Sequence, residues 1–131
     1  MFERIPAEGP LLALLLSGRD DPGETTFPTP PELSLQVGFV VYPAGGEIQR
    51  HDHRPLERRI VGTPEVLLVR SGRCEVDLYD EERRHVATRE LRAGDVILIA
   101  AGGHGFRMLE DTVLLEVKQG PYVGLDEKER F

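Results

Sequence analysis

From residue 35 to residue 120 the chain is a succession of short apolar runs: LQVGFVVY, EVLLVRSG, CEVDLYD, HVATREL, DVILIA and TVLLEVKQG. Side chains of a strand point alternately to its two faces, so runs rich in β-branched residues with a period near two predict half-buried strands. Gly, Pro or Asp separates the runs at spacings of about 8 to 12 residues, the pattern of an antiparallel sandwich or barrel. No segment beyond residue 35 holds a 3.6-residue apolar period for three turns, which leaves little room for helix. VDLYDEERRHVATREL predicts a hairpin with its charged tip in solvent.

Ahead of these runs, LLALLL at residues 11–16 predicts a strand or short helix docked on the core. It is far shorter than the ~20 residues that span a bilayer. Glu3, Arg4 and Glu8 precede it and SGRDDPG follows, which does not fit a signal peptide. Residues 17–34 hold Pro22, Pro28, Pro30 and Pro31, each lacking the backbone donor that regular structure needs, and read as a surface connection. The expected organisation is therefore an extension over 1–34 that packs on the main domain or on a dimer partner, a single domain over 35–120, and a tail over 121–131.

Composition narrows the partners. With 23 acidic and 16 basic residues the formal charge is −7, which disfavours nucleic acid and anionic membranes. One cysteine, Cys74, forms no internal disulfide, and a reducing cytoplasm is the expected compartment. Cys74 alternates with Val76 and Leu78, so all three should face inward, with Cys74 a packed small hydrophobe.

The chemistry concentrates in RHDHRPLERR, residues 50–59. On a strand, His51 and His53 would project from one face and aim two imidazoles at one point, an arrangement that suits Zn, Fe, Mn, Ni or Cu alike. Five residues separate Gly45 from His51, and RAGDVILIAAGGHGF carries Gly94, Asp95, a strand, a glycine turn and His104. This pair of segments resembles the two motifs of the cupin superfamily, G-x5-H-x-H-x(3,4)-E-x6-G and G-x5-P-x-G-x2-H-x3-N, over about residues 35–120. The resemblance implies an all-β cupin double-stranded β-barrel (jelly roll) with one divalent metal ion inside, held by His51, His53, a glutamate and His104.

Two glutamates compete for that place. Glu57 has the short motif spacing after His53, but Pro55 interrupts the strand and no glycine follows at the right distance. Glu65 opens EVLLVRSG with six residues before Gly72, reproducing E-x6-G on an apolar strand. Strand register is fixed by the buried face whereas loops vary in length, so Glu65 is favoured and Glu57 is the alternative. Ala100 replaces the motif proline, and Met108 falls where the motif has asparagine, so His104, Phe106 and Met108 should share a strand face and give the pocket an apolar wall.

Arg50, Arg54, Arg58 and Arg59 crowd into ten residues of an acidic chain. Their guanidinium groups match carboxylate or phosphate, with Arg59 the candidate for the pocket; a solvated loop paired with Glu57 and Asp52 is the plainer alternative. Glu116 and Lys118 share a face of LLEVKQG and either reach the cavity or pair across strands. The ending LLEVKQGPYVGLDEKERF is similar to that of the WbuC-type cupins associated with bacterial O-antigen gene clusters, which touches carbohydrate chemistry.

By resemblance the expected function is a metal-dependent enzyme, a dioxygenase, isomerase or lyase acting on a small organic substrate, carboxylated or sugar-like. The alternatives are a non-catalytic small-ligand-binding cupin and a metal-free sugar isomerase or epimerase with histidine as base. A homodimer is expected, with LLALLL the candidate contact.

Overall fold

The computed structural model describes residues 2–131. The chain is all-β: β1 (Phe2–Ile5), β2 (Ala13–Leu16), β3 (Glu65–Ser71), β4 (Arg73–Tyr79), β5 (His85–Arg92), β6 (Val96–Ile99), β7 (Gly103–Met108) and β8 (Val113–Lys118), closed by a single 3-10 turn, Leu125–Glu127. These form two antiparallel sheets, one in the order β1-β2-β6-β3-β8 and one in the order β5-β4-β7. They face each other without closing into a barrel.

Alternation along the strands builds the core. Ala13, Leu67, Val69, Cys74, Val76, Leu78, Leu91, Ile97 and Ile99 fill the space between the sheets, with Phe106 and Leu114 packed at its margin. Cys74, Val76 and Leu78 are fully enclosed, and burial in these surroundings raises the Cys74 thiol pKa. The opposite face of the larger sheet carries a second cluster of Leu14, Leu16 and Leu98, covered by Leu33 from the proline-rich connection and by Val37 and Phe39 just after it.

Tight turns join the strands. Gly18 and Gly94 approach so closely that a β-carbon on Gly18 would stand 2.2 Å from the Gly94 carbonyl carbon. Asp95 clamps this corner, its buried carboxylate accepting from the Gly18 N–H at 3.0 Å and the Arg92 N–H at 2.8 Å. In the β4–β5 hairpin the Asp80 carboxylate accepts from the Glu82 and Arg84 backbone N–H groups, and the charged tip is exposed as expected.

LLALLL takes the strand alternative rather than the helix: its strand lies inside the large sheet between β1 and β6, and Leu12, Ala13, Leu14 and Leu16 are buried in their own chain. Three expectations are corrected. The extension over 1–34 thus contributes two strands to the main sheet rather than docking onto it from outside. LQVGFVVY is not a strand; only Phe39 makes an isolated bridge, to Thr26. The segment carrying His51 and His53 is also not a strand, and residues 40–63 form an extended, almost wholly exposed arm. Pro43, Gly45, Gly46 and Pro55 break up its ladder potential, and no neighbouring strand offers the hydrogen bonds that a strand requires.

Candidate functional site

The edges of the two sheets meet in two different ways. On one side Arg89 of β5 donates to the Glu3 carboxylate of β1 through Nε and Nη2, at 3.0 and 2.6 Å, and ties the two edge strands together. On the other side the edge strands are β7 and β8. Polar residues gather there in place of a seam.

Glu65 begins β3 on the inward face and is buried. His104 on β7 reaches across from the other sheet, with Nε2 3.5 Å from Glu65 Oε1. Register explains the remaining members. Lys118 of β8 lies directly opposite Glu65 and Glu116 opposite Leu67, so both project toward the same inner face as Glu65. Lys118 Nζ is 4.0 Å from Glu116 Oε1, a pair along one strand rather than across two, while both residues face inward beside Glu65.

Burial dominates the electrostatics. It pushes the Glu65 carboxyl up to about 7, helped by a hydrogen bond and charge repulsion from Glu116, with Lys128 and Lys118 opposing. His104 is shifted down, first by burial and then by Lys128, with Glu116 pulling the other way. His104 is therefore neutral near pH 7, where the Glu65 carboxyl is about half protonated. The neutral imidazole has a nitrogen lone pair to offer, and the carboxyl holds a proton that an incoming cation or base can displace.

Of the expected ligands, the structure brings Glu65 and His104 together and leaves His51 and His53 apart. These two sit on the exposed arm with ring centroids 5.2 Å apart, and His51 Nδ1 lies 2.8 Å from the Gln49 carbonyl oxygen. Among the described residues no three of His, Cys, Asp or Glu gather in a group able to hold a metal. Glu57 is on the same exposed arm.

The expected pocket residues are also divided. Phe106 edges against the His104 ring, centroids 5.9 Å apart, and Met108 follows on the same face but is exposed. Arg59 lies elsewhere, lining a shallow cleft with Leu33, Ile60, Leu98 and Ala100 on the outer face of the large sheet. Arg50, Arg54, Arg58 and Arg59 meet no carboxylate among the described residues, so the loop pairing with Glu57 and Asp52 is not formed.

Lys128 was not legible as a site residue. It belongs to the C-terminal tail, which returns to this end of the molecule: Thr63 Oγ1 donates to Glu127 Oε1 at 3.1 Å, and the Phe131 ring stacks edge-on against Tyr79. A lone lysine in DEKERF has no spacing signal that could have flagged it.

No family model, no curated protein and no solved structure matches this chain. Among the described residues no helix is long and apolar enough to cross a membrane.

Proposed function

We propose that this chain is a cupin-type jelly-roll protein that binds one divalent metal and acts as a metal-dependent enzyme on a small organic substrate. The observation that carries the reading is the Glu65–His104 pair, an oxygen and a nitrogen donor 3.5 Å apart on the inner faces of two sheets. Two donors about 2.1 Å from one ion at a tetrahedral angle stand roughly 3.4 Å apart, so the pair has the spacing of two cis ligands. His51 and His53 would complete the set, giving a mixed nitrogen and oxygen shell that suits Zn, Fe, Mn, Ni or Cu.

A bound metal would supply Lewis acidity at an open coordination position. The chain's own residues supply the rest. Phe106 gives the substrate an apolar wall beside His104, and Glu116 next to Glu65 offers a carboxylate that can take or return a proton. The arginines of the arm match a carboxylated substrate.

A second reading has its own support. A neutral imidazole 3.5 Å from a carboxyl that titrates near pH 7 is an acid–base pair without any metal, as a sugar isomerase or epimerase needs. Inductively coupled plasma mass spectrometry on the wild type, His51→Ala, Glu57→Ala, Glu65→Ala and His104→Ala separates the two. Near-stoichiometric metal, retained in Glu57→Ala and lost in the other three variants, is expected. A wild type that stays metal-free after reconstitution with each candidate ion would overturn the metal reading in favour of the acid–base one.

A further inference from the structure

The sandwich is sealed on the β1/β5 side by Glu3 and Arg89 and lacks a strand on the β7/β8 side, where Glu65, Glu116 and His104 lie. β8 has a free edge, and its outward residues Val113, Leu115 and Val117 are each more than half exposed. The apolar cover of the outer sheet face, Leu33, Val37 and Phe39, stops short of them. From Val40 to Thr63 the chain touches its own body only near its ends, where the Val41 N–H donates to Thr25 Oγ1 at 2.9 Å and Arg59, Ile60 and Val61 line the cleft beside Leu33 and Leu98, and it exposes Val40, Tyr42, Ile48, Leu56 and Val61. One molecule thus carries both an unpaired apolar edge and an unpaired apolar strand-like segment.

We infer that a second copy of this chain resolves both, each protomer laying its 40–63 arm along the partner's β8 edge and delivering His51 and His53 to the partner's Glu65–His104 pair. The second half of this statement rests on the proposed metal site; the first does not. Strand addition to a free edge satisfies the arm's backbone groups, and alternation would send His51 and His53 to the inner face while Arg50, Asp52 and Arg54 face outward. Charge favours another copy's body as the occupant. Four arginines against Asp52 and Glu57 leave residues 50–59 at +2 in a chain of −7, and among the described residues none of these arginines forms an ion pair with an acid. A twofold exchange buries both arms and both edges at once, and 24 residues per arm matches the roughly 20–30 residues a side of a stable interface.

Light scattering coupled to size exclusion tests the exchange first. Wild type should run as a dimer of twice 14.7 kDa, while Leu115→Lys and Val41→Lys run as monomers with the wild-type circular dichroism spectrum. A monomeric wild type, or a dimer indifferent to both substitutions, would overturn the inference. The shared centre is then read by mixing His51→Ala with Glu65→Ala and measuring bound zinc. Trans-docked arms restore one complete site in each mixed dimer, so zinc should rise from near none to about half a site per chain within those dimers. Arms folded back on their own bodies leave every site broken, and no zinc in the mixture would reject the exchange of histidines. Wild type that binds no zinc would sink the metal site and the shared centre together, leaving the dimer result to decide the arm exchange alone.

Discussion

At the scale of single residues, the buried pair Glu65 and His104 makes the metal-free protein sensitive to pH in two opposite directions. The folded state raises the Glu65 carboxyl from 4.5 to about 7, so it binds its proton more tightly folded than unfolded. Stability from this group is complete below pH 4.5 and is lost as pH rises through about 7, by at most roughly 3 kcal/mol. His104 is lowered instead, so its contribution is present above its ordinary value of 6.5 and is lost as pH falls below it. Glu65→Gln removes the first effect and keeps the second. Urea midpoints of the chelated variant should therefore match wild type near pH 4.5 and exceed it at pH 8; parallel curves across that range would show that Glu65 is not held in its protonated form. Glu65 was legible in the sequence because E-x6-G on an apolar strand fixes which face it takes, and it does lie beside His104. Glu116 was half legible, as a residue sharing a face with Lys118. Its closeness to Glu65 depends on β3–β8 register, which no local pattern encodes.

At the scale of elements, the same composition behaves differently according to what lies beside it. EVLLVRSG, CEVDLYD, HVATREL, DVILIA and TVLLEVKQG all contribute strands, because each combines alternation with a turn that returns the chain to a neighbour. FVVY has equal strand propensity and remains coil, since a strand exists only with a partner and that pairing is non-local. LLALLL was ambiguous for the converse reason: an unbroken apolar run hides its period, and only burial on both faces within the large sheet explains it. The two faces of that sheet should also differ in energetic weight. Leu98 is fully enclosed under Leu33, Val37 and Phe39, whereas Leu115 on the same outer face is 53% exposed. Leu98→Ala should cost about 2–5 kcal/mol, and Leu115→Ala less than about 0.5 kcal/mol in dilute, monomeric protein. Denaturant titration of both gives the contrast directly; equal losses would mean that the outer cover reaches β8.

For the whole molecule, the open β7/β8 side and the exposed arm make one prediction about order. The arm from residue 40 to residue 63 carries four arginines in backbone with few hydrogen bonds, and local opening there costs little compared with unfolding the sandwich. Trypsin should therefore cut dilute, chelated protein first after Arg50, Arg58 or Arg59, while Arg89 and Arg92 in β5 stay intact. Pro55 blocks cleavage after Arg54 and leaves the bonds after Arg58 and Arg59 open. If the arm docks on an edge strand and its histidines enter a metal site, ligand linkage stabilises the docked form by about 2.7 kcal/mol at a hundredfold excess over the dissociation constant. Cleavage at these three sites should then slow by roughly a hundredfold on adding zinc at high protein concentration, since proteolysis follows the open population when reclosing is fast. Zinc without protection would separate the metal from the arm. Protection by concentration without zinc would separate docking from metal, and would make the closing of the β7/β8 side a property of two chains meeting rather than of the ion.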